Sequence, residues 1–352
     1  MRWCEAMHFV SNTNPNDGPK MFCRFDLVVL FFITQAISSQ LEAGLISFGS
    51  GDSAFSMEFV NIGDAGNAAD TSAGSTPDGS VSYEYQIGKY EVRRSMIDKY
   101  NTLFGTSNSL EITMNDTYGT GDDKAALGLS WLEAARFVNW LNTSEGYSAA
   151  YKFDTGSAIN DLNLLWTSSD AGYDPTNPYR NTNAVYALPT ADEWYKAAYF
   201  EPVSDTWREY ATLSGNLPTA TTGSSAANEA VFKQTAEFGP VDVALAGGVN
   251  AFGIVGMNGN VCEWEETNLS LTNDDPNANR GFRGGYWNSW DDPLKSGTRD
   301  SRHPSLENNP GIGLRVTSLQ GIAAVPEPSS LAIFAGISIL SAASRKRKRV
   351  RR

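Results

Sequence analysis

Between Arg283 and Arg302 the chain reads RGGYWNSWDDPLKSGTRDSR. Its residue types could do two kinds of chemistry. Exposed rings of Tyr286 and Trp290 would stack on a sugar or a peptide side chain, with Asp291, Asp292 and Arg299 adding hydrogen bonds. Alternatively, Asp291 and Asp292 would divide acid and base roles beside Arg299, if burial separated their pKa values. Adjacent side chains often face different ways, which weighs against that second use. A structural use stays open as well. Gly284 and Gly285 permit tight backbone turns, and Trp287 and Trp290 are large enough to anchor a core. Other reactive types are sparse. Cys262 is a lone thiol, either a nucleophile or redox sensor or a small buried apolar residue. With no histidine near it in sequence, the buried role is the expectation. His303, in RDSRHPS, reads as a loop residue.

These side chains need a frame. The chain has 352 residues, 41% of them hydrophobic and 11% aromatic, which is enough for one large domain or two small ones. Abundant Gly, Asn, Ser and Thr point to a loop-rich α+β or β-rich fold. FSMEFVNIGD, from Phe55, alternates as a half-buried strand does. Residues 63–80 read as a loop, YEYQIGKYEV (83–92) alternates again, and RRSMIDKYNTLFG reads as a short helix. SWLEAARFVNWLN (130–142) predicts a helix opened by a Ser130–Glu133 capping box, with Trp131, Ala134, Ala135, Val138 and Leu141 on one face. LPTADEWYKAAYF predicts another, opened by Thr190 and Glu193. Residues 143–186 read as a long polar surface excursion, 212–230 as a second polar stretch, and 251–317 as strands and turns. No internal repeat is evident. Residues 50–318 read as one domain.

The ends read as addresses. LVVLFFITQAI (27–37), with Arg24 before it and small residues at 36, 38 and 43, has the length of a signal-peptide core and predicts cleavage near 38–43. The first twenty residues do not fit, so Met21 is a candidate start, and residues 1–43 read as extension plus signal. At the other end, residues 325–352 contain a rigid Val-Pro-Glu-Pro, an apolar segment at 331–344, and seven basic residues in the last eight. This arrangement resembles the PEP-CTERM sorting signal of Gram-negative bacteria that make exopolysaccharide. The resemblance implies export, transient membrane anchoring, and processing near Pro326, Glu327 and Pro328 by an exosortase, leaving the protein at the cell surface or in the extracellular matrix. A plain tail anchor is the rival reading. The formal net charge is −13, although the tail is basic, so the body is acidic. An acidic body excludes nucleic acid as a natural partner. Downstream of the signal Cys262 is the sole cysteine, so no intramolecular disulfide is available there.

Seven blocks then occur in one order: MEFVNIG, IGKYEV, LSWLEAARFVNWLN, ALPTADEWYKAAYF, NAFGIVGMNGNVCEWEE, RGFRGGYWN and GIGLRV. The series, over about residues 55–318, resembles the formylglycine-generating-enzyme-like (sulfatase-modifying factor) family. That implies an α+β, C-type-lectin-like fold, loop-rich and low in regular structure, whose 283–302 region borders a ligand face. In the oxygenase members a cysteine pair binds copper a few residues after the paired glycines, since soft thiolates suit copper(I). Those positions fall here on Ser289 and Leu294, so copper and formylglycine generation are not expected. Another branch uses non-haem iron, which needs more imidazole than His303 alone supplies. The resemblance also implies a structural calcium, carried over as the carbonyls of Gly259 and Val261 and the carboxylate of Glu263. Gly256 stands where relatives offer an Asp or Asn ligand. A second calcium site would begin at Asn228 and the Glu229 carbonyl, with no clear acidic match later. Arginine pairing of Glu263 is the alternative to calcium. The leading expectation is an exported, non-catalytic binding or structural module with a glycan or peptide ligand. The rivals are an oxidoreductase or other enzyme of the superfamily using Asp291, Asp292 and Arg299, and a copper enzyme with an unrecognised site.

Overall fold

In the computed structural model, which describes residues 44–72, 79–154, 163–308 and 310–319, the alternating segment at Phe55 is a strand but not the first one. β1 (Gly44–Phe48) precedes it and pairs antiparallel with β2 (Phe55–Ile62), Phe48 lying opposite Phe55. The sheet thus takes in residues ahead of the expected boundary at 50. β3 (Tyr85–Gly88) pairs with the other edge of β2. Then follow α1 (Arg94–Tyr100), α2 (Trp131–Ser144), β4 (Tyr186–Ala187) and α3 (Ala191–Tyr199). The last part contains β5 (Cys262–Asn268), β6 (Arg280–Arg283), β7 (Asp300–Arg302), β8 (Ile312–Gly313) and β9 (Thr317–Ser318). One sheet has the order β1-β2-β3-β9-β4 and is antiparallel throughout. A second has the order β7-β6-β5-β8, with only β5 and β8 parallel.

Both expected capping boxes form. The Ser130 hydroxyl accepts from the Glu133 N–H at 3.2 Å, and the Glu133 carboxylate accepts from the Ser130 N–H at 2.7 Å. Thr190 and Glu193 repeat the exchange at 3.1 and 2.7 Å. Two otherwise orphaned N–H groups at each helix start are satisfied in this way. The α2 face predicted from spacing is buried, and so are Leu132, Phe137 and Trp140, because the helix is covered on more than one side. Its side chains share a core with Phe48, Phe55 and Phe59 of the first sheet and Trp264 of the second. α3 sends Trp194, Tyr195 and Ala198 into a second cluster with Ile62 and Ile87. Both sheets therefore close over the same helices.

The 143–186 excursion is less superficial than its polarity suggests. Tyr151, Tyr179 and Arg180 are buried. Arg180 is inside because two buried carboxylates, Glu193 and Glu266, receive its guanidinium at 2.8 and 2.6 Å. A charge enters a core when it arrives paired and hydrogen-bonded. The signal-like segment at 27–37 and the tail at 325–352, with Pro326, Glu327 and Pro328, lie outside the described residues.

Candidate binding face and its buried support

Every residue of β5 is buried, yet its sequence is CEWEETN. Glu263, Glu265 and Glu266 are each 0% exposed. Three carboxylates in one buried strand require three sets of partners, and each comes from a distant segment. Glu263 takes Arg315 at 2.6, 2.9 and 3.0 Å and the Trp194 indole N–H at 2.7 Å. Glu266 takes Arg180 at 2.6 Å and the Tyr151 hydroxyl at 2.9 Å. Glu265 takes two arginines: Arg283 Nε at 2.5 Å on one oxygen and Arg299 Nε at 2.6 Å on the other. Burial would raise the Glu265 pKa, but Arg299 and Arg283 outweigh it and hold the carboxyl below its usual range.

Arg283 and Arg299 stand at the two stems of the loop singled out from sequence. Glu265 therefore fastens both stems to the second sheet, and Arg299 further donates to the Thr267 and Asn268 carbonyls at 2.9 and 3.1 Å. This corrects the expectation that Arg299 is an exposed ligand contact: its side chain is 8% exposed and fully committed. Tyr286 is corrected too. Its ring is half-buried, edge-on to Trp287 at 5.2 Å, and packed over Gly311. Trp287 is the core anchor at 1% exposed, whereas Trp290 is 76% exposed. Asp291 is half-buried and pairs with Lys233. Asp292 is open to solvent and pairs with Lys295 at 3.0 Å. The two aspartates thus diverge to different lysines, and Arg299 joins neither, so the proposed acid–base trio is not assembled.

The loop's second half forms one wall of a groove of about 560 Å³, lined by Ser72, Trp207, Arg208, Glu209, Lys295 and Thr298. Trp207 packs on Tyr195 and Phe200 at 5.3 and 5.0 Å. Lys295 lies between Asp292 and Glu209, 3.7 Å from the latter. Sequence reading missed Trp207, Glu209, Lys233 and Lys295, because nothing local marks a residue that meets the loop only through the fold. An aromatic ring flanked by alternating charges suits a polyhydroxylated ligand, which stacks its apolar face and hydrogen-bonds its rim.

Ser289 and Leu294, the positions to which the resemblance assigns a thiolate pair, are close in space. The Cβ point of Gly285 lies 2.6 Å from Leu294 Cδ1 and 3.4 Å from Ser289 Oγ. The Ser289 hydroxyl accepts the Tyr286 N–H at 2.9 Å, and Leu294 is 0% exposed beside Tyr210, Ala230 and Phe232. A hydroxyl held by backbone and a packed isobutyl group offer copper no soft ligand. Cys262 is 7% exposed, and burial with Glu263 and Asp300 nearby pushes its thiol up to about 12, so it is no nucleophile in this state. His303 is an exposed loop residue whose Nδ1 meets the Ser305 hydroxyl at 2.9 Å.

Calcium does not fit at Glu263 as these residues are arranged. Both carboxylate oxygens face the Arg315 guanidinium, which a dication would have to displace. At the second expected site, the Asn228 carbonyl accepts from the Thr219 N–H and its side-chain oxygen from the Ser214 N–H. The Glu229 carbonyl accepts from Gly248 N–H. Among the described residues no group of three Asp, Glu, His or Cys converges.

A sulfatase-modifying factor enzyme 1-like domain profile matches residues 55–318. No curated protein matches. Among solved structures, the Treponema denticola variable protein 1 superposes with a TM-score of 0.52 at 18% identity, covering 78% of this chain and 98% of that one. A structure of CarF gives 0.51 at 18% identity, covering 74% and 98%. These likenesses carry the fold, an α+β, C-type-lectin-like architecture with little regular helix.

Proposed function

The chain belongs to the sulfatase-modifying factor enzyme 1-like family, and from that premise we propose that it is a non-catalytic member that binds a saccharide on the 284–298 loop face. The observation that carries this reading is what occupies the two thiolate positions: a backbone-bonded Ser289 and a core Leu294. The same loop presents Trp290 to solvent and walls the groove at Trp207. Packing thus stands where the resemblance implies a thiolate pair, while Trp290 of the same loop stays exposed. The acidic pair members Asp292 and Glu209 and the cation Lys295 supply hydrogen-bonding edges around that aromatic wall. Export, transient anchoring and exosortase processing belong to this proposal through the sequence of residues 325–352. They would place the module in an exopolysaccharide-bearing matrix.

The test has two arms on the purified full chain. In one, copper(I)-loaded protein is offered a sulfatase-type cysteine peptide under oxygen, and no aldehyde product is expected; turnover would sink the non-catalytic reading. In the other, a glycan array and titration calorimetry are run on wild type and on Trp290→Ala. Saturable glycan binding that the variant loses supports the face. Binding to peptides but to no glycan would replace the saccharide with a peptide ligand.

A further inference from the structure

The groove at Trp207 is richer in free acceptors than in free donors, because most of its side-chain donors are already committed. Arg208 gives one arm of its guanidinium to Glu201 and the other to the Thr212 and Leu213 carbonyls. The Ser72 hydroxyl donates to the Asp70 carboxylate at 2.6 Å, and the Thr298 hydroxyl to the Asp292 carbonyl at 2.7 Å. A hydroxyl has one proton to give, so what these two have left is lone pairs. Lys295 is drawn to Asp292 at 3.0 Å.

The charges lean the same way. Asp292 and Glu209 share Lys295, at 3.0 and 3.7 Å, and the second distance is too long for a hydrogen bond. Two carboxylates against one ammonium group leave one negative charge over. The carboxylates are also the more open: the Asp292 and Glu209 side chains are 84% and 60% exposed, that of Lys295 38%. Arg208 does not redress this, since Glu201 balances it. Glu209 is held in place by its backbone, whose carbonyl accepts from the Ser296 N–H at 2.9 Å and so ties it to the loop's second half.

We infer that this groove selects a saccharide that carries a free amine and turns away one that carries carboxylate or sulfate, with Glu209 as the residue that sets the preference. The inference rests on the saccharide reading of the loop face and adds the charge of the sugar to it. An ammonium group brings donors to a lining of acceptors and offsets the unbalanced charge. A uronic acid or a sulfated sugar brings acceptors to acceptors and a further negative charge. A like charge fixed in a site is how it rejects a near relative of its ligand. A neutral sugar, with hydroxyl donors only, falls between the two.

The probes are β-1,4-linked hexasaccharides of matched shape, built from glucose, glucosamine or glucuronic acid. Each is titrated by calorimetry into the full chain at mildly acidic pH, where the amine is protonated, with a thermal melt on every variant. The glucosamine hexamer should bind tightest, the glucose hexamer more weakly, and the glucuronic acid hexamer not measurably. Glu209→Gln should weaken the glucosamine hexamer about fivefold and leave the glucose hexamer nearly unchanged. Glu209→Lys should reverse the order of the two charged hexamers. Glu111 is exposed and lines no part of the groove, so Glu111→Gln should change nothing. An equal loss in Glu111→Gln would reveal only the general pull of an acidic protein on a polycation and would overturn the inference. Glucuronic acid binding as tightly as glucosamine would overturn it too, and both results leave the saccharide reading standing. Binding of no hexamer would sink the two together.

Discussion

Arg299 donates from Nε to Glu265 Oε2 at 2.6 Å, sixteen residues beyond Arg283, which donates to the other oxygen of the same carboxylate. One buried glutamate thus fixes the span of the candidate binding loop. Removing one arginine leaves the other to balance Glu265 alone, and removing the glutamate leaves two buried guanidinium groups without a counter-charge. Breaking a buried pair from one side costs about 3–5 kcal/mol. Arg299→Ala and Glu265→Gln should each lose that much in urea unfolding, and Glu265→Gln should also expose the 284–298 loop to limited proteolysis. A loss under about 1 kcal/mol would show that the clamp is ornamental.

Trp287 and Trp290 sit three residues apart and should behave oppositely. Trp287→Ala empties a core position and should cost about 3–5 kcal/mol of stability. Trp290→Ala removes an exposed ring and should leave stability within about 0.5 kcal/mol while abolishing saccharide binding. Paired urea curves and glycan titrations separate the two. Equal destabilisation by both variants would contradict the loop arrangement.

The closeness of Ser289 and Leu294 above Gly285 makes a gain-of-function prediction. The double variant Ser289→Cys, Leu294→Cys should bind one copper(I) in competition with a chromogenic chelator, because two soft thiolates then share one point in space. Neither single variant should. A double variant no better than either single one would show that the loop has drifted from the family's geometry.

Stability should also record Glu91. Burial raises its pKa to about 8 against an ordinary value of 4.5, with Arg315 opposing and Glu263 adding to the rise. Below pH 4.5 the group is protonated in both folded and unfolded chains. Above that, the unfolded chain ionises it while the fold keeps its proton, so stability falls as pH rises and levels off beyond about 8. Glu265 and Glu193 run the other way: burial alone would raise them, but arginine pairing holds both below the usual range, so their contribution is lost as pH falls. Thermal melts from pH 3 to 9 should therefore peak in the mildly acidic range at about pH 4–5. Glu91→Gln should flatten the descent on the alkaline side. An unchanged slope in that variant would remove Glu91 as its source.

The helices were legible because their signals are local. Ser130 with Glu133 and Thr190 with Glu193 lie three residues apart, and that spacing alone dictates the capping exchange. The strands at Phe55 and Tyr85 announced themselves by alternation. The buried ion pairs carried no such mark: Arg315 meets Glu263 across 52 positions and Arg180 meets Glu266 across 86. By sequence Glu263 has two possible partners, a cation or an arginine, and only the folded chain brings Arg315 to it. Arg180 looked like surface for the same reason. In the loop, residue type alone does not say that Trp287 turns in while Trp290 turns out.

A loop anchored at both stems by one carboxylate has an evolutionary corollary. Substitutions at its outward positions, 290 and 292, alter what the surface touches without disturbing strand registration beneath. The frame and the recognition surface can then change at different rates, and a lineage can acquire a new ligand without having to find a new fold.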